Sequence, residues 1–140
     1  MNVRAVRLAA AAAALAGAGV TAYLLSMRWG GGELVCRTGG CETVQSSDYA
    51  EILGIPVAAL GLGTYAAIAF LVLVASPVAL AAAASLALAA CAFSAYLLVV
   101  QVSVIGELCD WCLLNDGLVS VVAALVLFGT YASMRPASSA

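Results

Sequence analysis

The chain has 140 residues, of which 66% are hydrophobic and only 9% charged, with five arginines, no lysine, no histidine and a net charge of −2. An ordinary soluble domain is about 25% charged, so this chain has too few polar groups to cover a water-facing surface. Its small net charge, without a basic patch, argues against nucleic acid as a partner.

The length allows one helical membrane domain over residues 1–140 and no separate soluble domain. Leu8 to Met27 is uncharged throughout, long enough to cross a hydrocarbon core. Arg4 and Arg7 before it, and Ala16–Ala18 within it, also fit a cleavable signal peptide. The apolar character continues through Leu24 and Leu25, which favours a retained span. Ile52 to Gly106 is a second uncharged run, of 55 residues. As one helix it would measure roughly 80 Å against a core of about 30 Å, so it must turn back once. Ser76-Pro77 supplies the turn, because Pro77 cannot extend a preceding helix and also restricts Ser76. Pro56 suits the first turn of the helix before it. Spans are therefore expected near 8–27, 55–75, 78–105 and 113–134, with a long loop over 28–54. The expected fold class is an all-α integral membrane protein, a four-transmembrane-helix bundle with an outward loop between helices 1 and 2. Ala10, Ala14 and Ala18 form one small-residue stripe, and Ala59, Gly63 and Ala67 another; such stripes let helices approach closely in lipid.

Four spans put both termini on one side. Arg4, Arg7 and Arg135 flank that side and Arg28 and Arg37 the other, so the positive-inside rule places the termini in the cytoplasm. Four of the five cysteines then face outward. Cys36 and Cys41 lie in CRTGGC in the first loop, and Cys109 and Cys112 in GELCDWCLLND before the last helix. Thiols at an outer face meet an oxidising compartment. Two structural staples, a four-thiolate zinc site and a redox pair are the available readings. The C-x4-C spacing and the compartment count against zinc. A C-x-x-C ring constrains the unfolded chain too little to serve mainly as a staple, and such pairs occur where a bond opens and closes. Cys112 is expected at the start of the fourth helix, where the dipole favours a thiolate. Trp111 between the sulfurs suits an interfacial belt. Cys91, alone in the third span, reads as a small hydrophobe. No ionisable residue is expected inside a span, which counts against a transporter.

The order C-x4-C, then SSDYAEILGIPVAALGLGTY leading into a helix, then C-x-x-C opening the last helix resembles the bacterial homologues of vitamin K epoxide reductase. The resemblance covers about Val35 to Leu118, most specifically Gly40-Cys41, Ser46-Ser47, Gly54-Ile55-Pro56 and Cys109–Cys112. It implies a quinone-dependent thiol–disulfide oxidoreductase of the bacterial inner (cytoplasmic) membrane, with catalytic residues Cys36, Cys41, Cys109 and Cys112. A reduced thioredoxin-like (DsbA-type) protein would attack Cys36, Cys41 would pass electrons to Cys109, and Cys112 would deliver them to a quinone of the ubiquinone, menaquinone or vitamin K type. The family's loop serine matches Ser47, which a helix cap would equally explain. Vertebrate members carry a tyrosine four residues after the second active cysteine, where this chain has Asp116 beside Asn115. Either residue, with Trp111 nearby, is a candidate for the quinone site, or a polar residue at a helix start. The chain ends at Ala140 without a thioredoxin domain, so the expected redox partner is a separate protein. The alternative is a non-catalytic membrane scaffold with loop-stapling disulfides.

Overall fold

The computed structural model describes residues 2–136, so the expectation drawn from the end of the chain at Ala140 lies outside the described residues. Helix α1 runs from Val3 to Gly30, and Asn2 caps it by accepting the Arg4 amide. Gly31 closes it in a left-handed conformation, φ 67°, which glycine adopts without penalty. The loop after α1 carries a short helix α2 (Cys41–Gln45), a 3₁₀ turn (Asp48–Ala50) and a two-stranded hairpin, β1 (Glu51–Ile52) with β2 (Ile55–Pro56). Leu53 and Gly54 turn the hairpin with positive φ at both positions, the backbone that matches strand twist in a two-residue turn. Helix α3 spans Val57–Val74. Helix α4 spans Pro77–Val100 and continues through a π-helical turn, Gln101–Ile105. Helix α5 spans Asp110–Met134.

Four helices are thus long and apolar enough to cross a membrane by length and composition, as the uncharged runs imply. The break falls at Ser76-Pro77. Pro77 takes the first helical position, and the Ser76 hydroxyl accepts the Ala79 amide at 3.1 Å. Pro56 stands one residue before α3 rather than inside its first turn. The fourth helix begins at Asp110, three residues earlier than the apolar pattern indicates, because Cys109 caps it.

The core is built from small residues. Ala10, Ala11 and Ala14 of α1, Ala69 of α3, Ala83 and Ala87 of α4 and Ala123 of α5 are buried around Tyr65, Ile68, Val72 and Val122. The α1 stripe is used as expected. The stripe at Ala59, Gly63 and Ala67 is not, since Gly63 is exposed with no neighbour. Instead α3 meets α1 through Gly61, which faces Thr21, and through Tyr65, which lies flat on Gly17. Any side chain at position 17 would strike the Tyr65 ring. Large apolar side chains such as Phe70, Val78 and Leu88 stay exposed on the outside of the bundle, as a lipid-facing surface requires. Gly129 of α5 lies against Val6 and Arg7 of α1, so the start of α1 and the end of α5 share one end of the bundle. The loop 31–56 and the turn 106–109 share the other.

Candidate functional site

The C-x-x-C geometry follows from how α5 starts. Gly106, in a left-handed conformation, ends the π-helical turn, and Gln101 holds what comes next. Its carbonyl accepts the amides of Gly106 and Glu107, and its buried side-chain oxygen accepts the Cys109 amide at 3.1 Å. Cys109 then occupies the N-cap, its sulfur accepting the Cys112 amide at 3.3 Å. Cys112 falls at the start of the last helix, as expected. Cys109 caps the helix and Cys112 sits within the first turn, because the helix begins before Cys112. The Cys109 thiol is lowered from 9.0 to about 7, chiefly by a hydrogen bond from the Cys112 side chain. The Cys112 and Trp111 amides and the Gln45 side chain add to this, against the opposing effect of burial.

The other pair is brought onto this one by a clamp. Cys36 and Cys41 form a disulfide with Cα atoms 6.0 Å apart. The Asp110 carboxylate accepts the amides of Arg37 and Thr38 at 2.5 and 3.2 Å. The Thr38 hydroxyl donates to the Leu108 carbonyl at 2.6 Å, and the Trp111 indole N–H donates to the Val35 carbonyl at 2.8 Å. Trp111 also packs on Tyr23 of α1, ring centres 4.6 Å apart. Gly40 permits the closest approach: a β-carbon there would lie 2.4 Å from the Leu108 carbonyl oxygen. On the other side Arg28 pairs with Glu51, the one ion pair among the described residues, and donates to the Gln45 carbonyl. Cys41 and Cys109 are consequently both fully buried and share one cluster with Val44, against which Cys36, Trp111 and Cys112 pack. Cys36 keeps a partly exposed position.

Beneath the C-x-x-C lies a cavity of about 360 Å³. Its walls come from all four long helices and from the loop, with Leu24, Leu60, Phe93, Leu97 and Ile105 supplying apolar surface. Cys112, Gln45, Ser47, Asn115 and Asp116 also line it. The Gln45 amide lies 3.4 Å from the Cys112 sulfur. Asn115 accepts the Tyr65 hydroxyl at 2.9 Å, and Asp116 accepts the Ser94 hydroxyl.

Of the residues singled out from sequence, the four cysteines stand together, and Ser47, Asn115 and Asp116 meet at the cavity. Ser47 precedes the 3₁₀ turn without capping it; its hydroxyl returns to the Val44 carbonyl at 2.7 Å. Trp111 lies outside the cavity wall and latches the loop instead. Asp116 lies in the second turn of α5, an ionisable group within a helix of spanning length. Cys91 remains a free thiol that packs against the core, its sulfur 3.9 Å from the Ser120 hydroxyl oxygen. The sulfurs of Cys36 and Cys41 come within 4.8 Å of an Asp110 oxygen. Bonded to each other, they are not thiolate ligands in this state. Sequence reasoning passed over Gln45, Gln101, Tyr65, Ser94 and Asp110. Gln45 falls four residues after Cys41 and Gln101 interrupts an apolar run, signals open to a search for polar residues at membrane depth.

Helices of spanning length, a loop disulfide laid over a C-x-x-C and a cavity reached by one of its sulfurs define a membrane protein of the oxidoreductase class. The chain matches the Vitamin K epoxide reductase family over residues 8–131 and belongs to that family. No individual curated protein matches it significantly.

Proposed function

We propose that this protein is a quinone-dependent thiol–disulfide oxidoreductase that withdraws electrons from a reduced, separate thioredoxin-like protein of the DsbA type. In this reading it supports disulfide formation in exported proteins, and its single membrane domain lies in the bacterial inner membrane with cytoplasmic termini and outward cysteines. One observation carries it: the four sulfurs are graded from accessible to cavity-facing. Cys36 is partly exposed, Cys41 and Cys109 are buried in one cluster, and Cys112 lines the cavity. Exchange requires an attacking thiolate, an adjacent disulfide and a leaving thiolate. The partner's thiolate attacks Cys36 and releases Cys41. Cys41 attacks Cys109 of a Cys109–Cys112 disulfide and releases Cys112. The partner's second thiol breaks the mixed disulfide and frees Cys36, which attacks Cys41, and Cys109 leaves; a thiol lowered to about 7 leaves readily near neutral pH.

The cavity suits a quinone head group in size and in its donor set. Its apolar walls match a flat ring, and Gln45, Ser47, Asn115 and Asp116 stand beside Cys112 where ring oxygens would need partners. A bound quinone supplies a two-electron, two-proton acceptor for the Cys109–Cys112 dithiol. Gln45 holds the Cys112 sulfur toward the cavity, and Tyr65 holds Asn115 in place. Trp111 contributes by keeping the loop over the ring site. Ubiquinone, menaquinone and vitamin K types differ in ring system but share the para-quinone dione whose oxygens would meet these partners.

The test is quinone reduction by purified protein with a reduced thioredoxin-like donor. Changing Cys109 or Cys112 to Ala is expected to abolish turnover. Undiminished turnover in either variant would return the protein to the scaffold reading, with its cysteines as staples.

A further inference from the structure

Asp116 stands four residues after Cys112, so the two side chains share a face of α5 with β-carbons about 5–6 Å apart, and both line the cavity. One carboxyl oxygen accepts the Ser94 hydroxyl from α4. The other, Oδ2, is buried and has no hydrogen-bond partner among the described residues. Leaving a buried polar oxygen unpaired is costly. No cation offsets it: Arg28 is committed to Glu51 and Gln45, Arg37 lies in the loop, and Arg4, Arg7 and Arg135 lie at the far end of the bundle. The titratable neighbours that line the cavity with it are Cys112 on its own helix and Tyr65 on α3. An acid placed at membrane depth with one idle oxygen is the arrangement of a proton pathway rather than of a structural pair.

We infer that Asp116 is the proton carrier of the cavity. This rests on the reaction proposed above. In its protonated form the carboxyl is a donor on a residue that lines the cavity, where a quinone-type acceptor would need one. As the Cys112 sulfur gives up its electron pair, Asp116 passes that proton to the acceptor oxygen. The carboxylate, held by Ser94, then takes the proton shed by one thiol, while the proton of the other thiol goes to the second acceptor oxygen. Over one turnover two thiols lose two electrons and two protons, and the Cys109–Cys112 bond forms. The acceptor gains two electrons and two protons, and Asp116 ends as it began. Asn115, one residue earlier, already has its side-chain oxygen occupied by Tyr65 and has no proton to release.

The experiment compares Asp116→Asn and Asp116→Glu in the full chain, in lipid nanodiscs, with a short-chain ubiquinone as acceptor. Asn keeps shape and a donor but cannot release a proton. Its kcat is expected to fall about 10²–10³-fold with KM little changed, general acid–base groups being worth about 10²–10⁴. The high-pH limb of the kcat profile is expected to disappear with it, and Glu to restore at least part of the rate. Transfer of electrons from the donor protein to the Cys109–Cys112 disulfide, followed in a single turnover without quinone, is expected to be unaffected. Normal kcat in Asp116→Asn overturns the inference, and so does a loss shared equally by that single-turnover step. If Cys112→Ala abolishes turnover while Asp116→Asn does not, the relay stands and only the carrier falls. Should Asp116→Asn not fold, Ser94→Ala carries the test: releasing the carboxyl from its donor must shift the high-pH limb, and an unmoved limb overturns the inference.

Discussion

Gly40→Ala is the smallest change that separates the two cysteine pairs. Gly40 has φ −92° and ψ −4°, a conformation alanine adopts freely, so the substitution carries no intrinsic backbone strain. Its cost is contact. The new β-carbon would lie 2.4 Å from the Leu108 carbonyl oxygen, 3.0 Å from its amide nitrogen and 3.1 Å from the Glu107 β-carbon. An ordinary carbon–oxygen contact is about 3.3 Å, so the loop must retreat by about 1 Å. The atoms it meets are backbone and cannot rotate aside. Because the next residue is Cys41, the retreat draws its sulfur from Cys109. Overpacking of this kind costs about 1–3 kcal/mol, and a misplacement of about 1 Å at a reacting centre can cost about 10²-fold in rate. Turnover with a reduced thioredoxin-like donor and a short-chain quinone is therefore expected to drop about 100-fold in kcat/KM for the donor, with quinone KM unaffected. Gly39→Ala is the matched control. Gly39 has φ +78° and nothing within 4 Å, so alanine there adds about 1–2 kcal/mol of strain without touching Glu107 or Leu108. A Gly40→Ala protein as fast as the Gly39→Ala protein would refute the reasoning that close backbone approach sets the distance between pairs.

The Cys109 thiol provides a pH test. Its folded value is depressed to about 7 from 9.0, so its contribution to stability is complete above the unfolded value and is lost as pH falls through about 7. For the protein with Cys109 and Cys112 reduced, the apparent unfolding temperature relative to Cys109→Ser is expected to rise between about pH 6 and pH 9; a flat difference would contradict the hydrogen bonds that the Cys112 side chain and amide donate to the Cys109 sulfur. Trp111→Phe keeps the ring against Tyr23 but loses the hydrogen bond to Val35. A cost of about 0.5–1.5 kcal/mol is expected in thermal unfolding, with faster alkylation of Cys109; unchanged protection would show that the indole N–H does not latch the loop.

The spans were readable because hydrocarbon leaves few alternatives: an uncharged run longer than the membrane must turn, and Ser76-Pro77 was the available breaker. The start of α5 was less readable. Cys109 is an uncommon cap, and a pattern of apolar residues cannot see a sulfur accepting the Cys112 amide, so the helix was expected to open at Leu113. The hairpin at Glu51–Pro56 was missed because its turn is Leu53-Gly54, without the Asn-Gly or Asp-Gly that signals a two-residue turn. In the site, the cysteines announced themselves by spacing, and Ser47, Asn115 and Asp116 came from resemblance and position. Gln45, Gln101 and Asp110 act through contacts with residues distant in the chain or through backbone amides. Such roles exist only once α2 is folded onto α5. Trp111 shows the converse: its sequence position between two sulfurs suggested the cavity, while its indole N–H is spent on Val35.

The central claim is that electrons cross from the loop pair to the helix pair at Cys41 and Cys109. Non-reducing peptide mapping of Cys36→Ala tests it directly, since removing Cys36 leaves Cys41 with Cys109 as its neighbouring exchange partner and nothing to resolve the product. The account expects a Cys41–Cys109 linkage to accumulate and turnover to stop. Recovery of Cys109–Cys112 linkage alone, with turnover intact, would contradict it and remove the loop pair from the path.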